Sequence, residues 1–313
     1  MVSGSETMIA DAPTAIIDAH HHFWRLKEGH FPWLQEAYDP KEFFLGDYAD
    51  ICTDFDADTY LRRTAGYAIK ASVHIEAERA RDESEAETLW LHEEHARNSG
   101  FPAAVVAYVD FAAEDVAQAL ARQAAHPLVR GIRCKPRTSP GPDISIHGQA
   151  GTLQDDAWLR GLSLLEHHRY SWDLRVPFWH LEEAAEVAAM FPNIPIVLNH
   201  AGLPWDRSEA GLAHWRRGMA ALARCEQVHV KLSELGLRDA KWNVHENASI
   251  IRETIALFGW QRCMFASNLP VSGLNVDFPT LIDTVRHGIS GLSSQAQTAI
   301  WSGNAARFYR ISL

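Results

Sequence analysis

Cysteine is scarce and scattered. The 313 residues hold only Cys52, Cys134, Cys225 and Cys263, with no CxxC spacing among them. Such a set frames neither a disulfide scaffold nor a thiolate zinc clamp, and in a chain lacking an export signal it predicts reduced thiols. Positive charge is also short: 29 Lys and Arg stand against 40 Asp and Glu, for a net charge of −11. That balance argues against nucleic acid or an anionic membrane as partner, since either would demand a basic patch. No segment approaches the ~18 consecutive apolar residues of a membrane helix. The opening MVSGSETMIADAPTA lacks the basic and apolar regions of a signal peptide. These absences predict a cytoplasmic protein with a short flexible arm over residues 1–14. Three missing motifs narrow the chemistry. Without GxGxxG there is no dinucleotide turn, and without GxSxG no nucleophile elbow. His92 and His95 are spaced i, i+3 rather than the i, i+4 of HExxH metalloproteases.

Against these gaps stand 17 His and 11 Trp in a chain of ordinary globular composition, 47% hydrophobic and 22% charged. Eight apolar or β-branched runs recur, at Ala15–His20, Ala68–Ile75, Ala103–Val109, Val129–Cys134, Tyr170–Arg175, Pro195–Asn199, Val228–Leu232 and Cys263–Ala266. Helical periodicity follows most of them, near Ser84–Asn98, Glu114–Ala125, Asp155–His168, Leu181–Met190, Gly211–Arg224, Asn247–Phe258 and Phe278–His287. Alternating strand and helix predicts a parallel sheet, and eight repeats predict closure into a (β/α)8 barrel, one α/β domain over residues 15–313. The first gap, Phe23–Tyr67, is long and aromatic-rich, an extended insertion with one helix over Asp58–Thr64.

In such a barrel function collects at the C-terminal strand ends. The first strand ends DAHHHFW, where His20 and His22, two apart, project to one side and His21 to the other. The sixth ends IVLNHAG, placing His200 at the same rim, and the second ends VHIEAE, where Glu76 shares a face with His74. Arg133, Lys135 and Arg137 form a local positive run suited to a carboxylate or other anion, the surface charge run being the plain alternative. The fifth strand contributes Asp173 and then His180, the seventh Lys231, Ser233 and Glu234.

DAHHHFW, with PWL at Pro32–Leu34, RGIR at Arg130–Arg133, NHAGLP at Asn199–Pro204 and MFASNLPV at Met264–Val271, resembles the amidohydrolase-related group of metal-dependent TIM-barrel hydrolases. That group lies in the amidohydrolase superfamily and includes sugar-acid lactonases and 2-pyrone-4,6-dicarboxylate lactonase. The motifs run in the family's order from Asp18 to about Tyr309. The resemblance implies that His20 and His22 match the family's HxH and His200 its sixth-strand histidine. Its eighth-strand aspartate, the general base, falls at Asn268, and an amide cannot take a proton near neutral pH. Glu76 is the first candidate to replace that carboxylate, with Asp173 and Glu234 behind it.

Three imidazoles suffice for one divalent metal, zinc first, with an open water position. The resemblance also includes lactonases that work without metal. The function implied is hydrolysis of a small anionic lactone, sugar-derived or from aromatic degradation. Arg133, Lys135, Asp173 and His180 would hold the substrate, and Asn268 would orient water or substrate. A metal-dependent decarboxylase of a small aromatic or unsaturated acid, and a non-catalytic ligand-binding barrel, are the alternatives. A homo-oligomer is compatible with the sequence.

Overall fold

Each of the eight apolar runs forms a strand in the computed structural model, which describes residues 13–312; the predicted arm therefore lies almost entirely outside the described residues. The strands are β1 (Ile16–His21), β2 (Ile69–Ile75), β3 (Ala104–Ala107), β4 (Val129–Ile132), β5 (Ser171–Leu174), β6 (Ile196–Leu198), β7 (Val228–Leu232) and β8 (Cys263–Phe265). They pair in parallel in sequence order. Closure falls just beyond β8, where Asn268 N–H donates to the His20 carbonyl at 2.7 Å and His22 N–H to the Leu269 carbonyl at 2.8 Å. The result is the expected (β/α)8 barrel, with a long insertion after β1. No helix among the described residues is long and apolar enough to cross a membrane.

Side-chain alternation divides the strands between two cores. Outward residues such as Ile132, Trp172, Leu198, Val230 and Phe265 meet the surrounding helices. Inward residues Ile17, Val73, Ile75, Val106, Val197, Met264 and Ala266 fill the barrel, together with Phe308 and Tyr309 of the C-terminal helix Asn304–Tyr309. β1 breaks its own period. Asp18 pairs with Ser72 but His21 pairs with His74, so β1 carries one more residue than β2 across that interval. The bulge turns His20 inward although Asp18 points outward.

The insertion holds the short helix Pro32–Gln35, a 3₁₀ turn at Ala49–Ile51 and the expected helix, which spans Ala57–Arg63 with Asp56 as its N-cap. The predicted helix over Asp155–His168 is broken in two, Asp156–Ser163 and Leu165–His168, with Asp155 capping the first as anticipated. Two further helices near the C-terminus, Ser294–Thr298 and Asn304–Tyr309, were not anticipated.

The seam between β8 and β1 is stapled by one carboxylate. Asp18 accepts from Ser267 N at 2.7 Å, Ser267 Oγ at 2.6 Å, Tyr60 Oη at 3.0 Å and His20 N at 3.2 Å. Burial, the largest influence, pushes its carboxyl up to about 6, while those donors favour the ionised form, so it is charged at neutral pH. Asp18→Ala strands several buried donors at roughly 1–3 kcal/mol each. Urea unfolding should show a loss of about 3 kcal/mol or more, and an unchanged midpoint would contradict the staple.

Candidate active site at the strand ends

The C-terminal strand ends and the insertion together enclose a cavity of about 440 Å³, within the range of small-molecule sites. His22, Arg133, Lys135, Arg175, His200 and Asn268 line it from the barrel, and Trp33, Phe43, Phe44 and Tyr48 from the insertion, with Trp205 alongside. Trp33 stacks on Phe43 and Phe44 on Trp205, at interplanar angles of 12° and 26°. These flat apolar panels suit the face of a small ring.

The three imidazoles named from the sequence are brought together. His20 and His22 approach Nε2 to Nε2 at 3.3 Å, and the His20 and His200 rings lie 4.5 Å apart. His22 Nδ1 donates to the Ile75 carbonyl at 2.7 Å, and His200 Nδ1 pairs with Ser233 Oγ at 2.9 Å. His200 occupies a tight turn at φ +60°, followed by Ala201 at +49°. Burial first, and then neighbouring cations, hold all three well below the ordinary histidine value, so each is neutral at physiological pH. The cations that act most strongly on His20, His22 and His200 are respectively Lys231, Arg133 and Arg175.

Asn268, also at positive φ (+54°), donates Nδ2–H to Glu234 Oε2 at 2.5 Å, and Ser272 Oγ donates to the same oxygen at 2.8 Å. Burial raises the Glu234 carboxyl. Asn268 Oδ1 is left buried without a partner among the described residues, an acceptor free for a water or a substrate hydroxyl.

The cationic wall is as expected, but it is wired differently. Arg133 Nε donates to Glu76 Oε1 at 2.8 Å and Arg81 Nη1 to Glu76 Oε2 at 2.9 Å. Burial would raise the Glu76 carboxyl, yet Arg133 and Arg81 outweigh it and hold the group below its ordinary value. A carboxylate gripped by two guanidinium groups is a weak proton acceptor, and Glu76 does not line the cavity. The expectation of Glu76 as general base is therefore corrected: it anchors Arg133. Its supposed face-mate His74 points outward, with Nε2 on Glu87 at 3.2 Å; the strand's turn into the loop after Ile75 breaks the alternation. Lys135 pairs with Glu78, and burial brings its ammonium down to about 8.

Two expected substrate contacts are also corrected. His180 is held between Ser139 N at 2.9 Å and Glu183 at 3.0 Å, and Asp173 lies inside the barrel against Lys231 at 2.5 Å. Neither lines the cavity. Arg175, noted in the sequence only as a strand end, does. Its guanidinium lies 5.5 Å from the centre of the Phe44 ring and has no hydrogen-bond partner among the described residues. The signal was present as the polar residue directly after β5.

A metal fits this donor set poorly. A ligating imidazole needs a bare nitrogen toward the ion and an N–H given to an acceptor behind it. His22 meets that condition through Ile75. His20 does not, because its Nδ1 faces the Lys231 ammonium at 3.4 Å. Among the described residues no three His, Cys, Asp or Glu side chains are grouped to hold one ion.

Residues 17–311 match the family described as Amidohydrolase. The chain is 31% identical over 300 residues to the uncharacterized protein y4mH of Sinorhizobium fredii, covering 95% of this chain and 99% of that one. It is 30% identical over 308 residues to an L-fucono-1,5-lactonase of Burkholderia multivorans, covering 94% and 96%. Among solved structures, an amidohydrolase of Burkholderia multivorans with bound zinc superposes with a TM-score of 0.77 at 27% identity, covering 95% of this chain and 100% of that one. A probable 2-pyrone-4,6-dicarboxylic acid hydrolase of Acinetobacter baumannii shares the fold, with a TM-score of 0.68 at 13% identity over 95% of this chain and 99% of that one.

The wiring of Glu76 yields a prediction. Glu76→Gln frees Arg133 and leaves its charge buried without a counter-ion, which costs about 3–5 kcal/mol. Thermal unfolding should fall markedly, while kcat at a temperature where the variant is folded drops by less than the ~10²–10⁴ expected for loss of a base. Unchanged stability with a collapse of kcat would restore Glu76 as base.

Proposed function

Because this chain belongs to the amidohydrolase family and is a hydrolase by that membership, we propose that it opens a small lactone, sugar-derived and carrying or developing negative charge, by attack of water at the ring carbonyl. The observation that carries this reading is that the neutral imidazole of His200 and the unpaired guanidinium of Arg175 face one cavity. The L-fucono-1,5-lactonase relative supports a lactone over an amide. A lactone ester also suits a site whose imidazoles are poorly arranged for a metal, being activated enough to react without a Lewis acid.

In this reading the ring stacks on the aromatic panels and its carbonyl oxygen meets Arg175, helped by the free edge of Arg133. Asn268 Oδ1 accepts one hydrogen of the attacking water, and the unengaged nitrogen of His200 takes the other as the oxygen–carbon bond forms. The tetrahedral oxyanion then lies against fixed positive charge, which is worth more in a site closed to water. As the ring C–O bond breaks, the departing alkoxide takes the proton back from His200. Its depressed basicity makes the imidazolium a ready donor. The product is an open hydroxy acid; its carboxyl proton, the second hydrogen of the attacking water, passes to solvent, and the carboxylate remains on Arg175 until release.

A panel of 1,4- and 1,5-lactones of sugar acids and of pyrone carboxylates, followed by acid release, tests this directly. At least one should turn over. On that substrate His200→Asn should lower kcat by ~10²–10⁴. Arg175→Ala should lower kcat/KM by ~10²–10³, as for loss of an oxyanion donor. Inertness toward every lactone, or an Arg175→Ala enzyme with unaltered kcat/KM, would contradict the proposal.

A further inference from the structure

Lys231 is a fully buried charge that the proposed reaction does not use. It rises from β7 into the barrel, between the imidazoles above it and the C-terminal plug. Its ammonium meets Asp173 Oδ1 at 2.5 Å, His20 Nδ1 at 3.4 Å and the face of the Tyr309 ring at 5.3 Å. Asp173 in turn accepts from Tyr309 Oη at 3.1 Å on each oxygen and from Asn199 Nδ2 at 3.1 Å. Burial brings the Lys231 ammonium down to about 8 against the pull of Asp173, so it remains charged at neutral pH.

An ammonium has donors and no lone pair. His20 Nδ1 must therefore present its own lone pair to Lys231, and a neutral His20 then carries its proton on Nε2. At the other end of the pair, the Ile75 carbonyl can only accept, so His22 is protonated on Nδ1 and bare on Nε2. The short Nε2–Nε2 approach is thereby a donor meeting an acceptor, His20 to His22. Every hydrogen bond from Tyr309 to Ile75 is satisfied in this one arrangement.

We propose that Lys231 is a positioning residue that fixes the His20 proton on Nε2, so that His20 donates to His22 and holds that imidazole, which lines the cavity, in one orientation toward the substrate, rather than the two serving as metal ligands. The role toward substrate rests on the lactone reading; the proton placement does not.

Long-range ¹H–¹⁵N spectra of histidine-labelled free protein, with His20 and His22 assigned by single substitution, test the placement without altering Lys231. The expected pattern is Nε2–H with bare Nδ1 for His20 and the reverse for His22. In Lys231→Met the His20 preference should be lost and kcat should fall with KM changed little. Lys231→Arg, which keeps a donor, should recover the wild-type spectrum and part of kcat. Lys231→Gln can accept the Nδ1 proton through its side-chain carbonyl, and should bind zinc roughly tenfold to a hundredfold more tightly than wild type, the range seen for partners behind a ligand. Nδ1 protonation of His20 in wild type, an unaltered tautomer in Lys231→Met, or unchanged zinc affinity in Lys231→Gln would overturn the proposal. The expected spectra in a protein that opens no lactone would defeat the lactone reading and leave the Lys231 assignment standing.

Discussion

The buried ion pair between Asp173 and Lys231 sets the terms for everything above it. Two charges withdrawn from water inside a barrel are tolerable only when each is fully hydrogen-bonded. Asp173 draws on Tyr309 and Asn199 for this, and Lys231 completes its shell with His20. The C-terminal helix, β5, β6, β7 and the first strand are thus held to one arrangement by a single polar cluster. The bulge in β1 follows from the same need, because without the extra residue His20 would share the outward face of Asp18 and could not reach Lys231.

Above that cluster three cations meet in a chain of net charge −11. Arg133, Lys135 and Arg175 line the cavity from the barrel, while Asp39 and Glu42 line it from the insertion and Glu78 from the loop after β2. Glu76 and Glu78 neutralise part of the wall and hold two of its cations in place. Arg175 is left over. Burial, reinforced by these cations, keeps the imidazoles neutral, which is the state in which histidine can accept a proton. The same cations therefore serve both to attract an anion and to preserve a base.

The fold was legible because its signals are local. Apolar runs of strand length alternate with amphipathic helices, and motifs such as DAHHHFW and NHAG fall at strand ends. His20, His22, His200, Arg133 and Asn268 were legible for the same reason. What could not be read depends on partners far apart in sequence. Nothing near Glu76 announces that Arg133, 57 residues on, will close on it. Period-two reasoning placed His74 and Glu76 on one face, but the alternation holds only while the backbone remains a strand. His180 looked available because its Ser139 and Glu183 contacts are made by a loop return and a helix turn. Asn268 reads as a lost base in isolation, whereas in the fold its amide engages Glu234 and leaves the oxygen free.

The claim on which the functional account rests is that water attacks the lactone carbonyl. Turnover of an accepted lactone in ¹⁸O-labelled water, followed by mass spectrometry of the ring-opened product, reads this directly. The account predicts one labelled oxygen, confined to the new carboxylate, with the released hydroxyl unlabelled. Label in the hydroxyl would mean attack at the alkyl carbon. Evolution of carbon dioxide in place of a ring-opened acid would mean a different reaction, and either result would contradict the account.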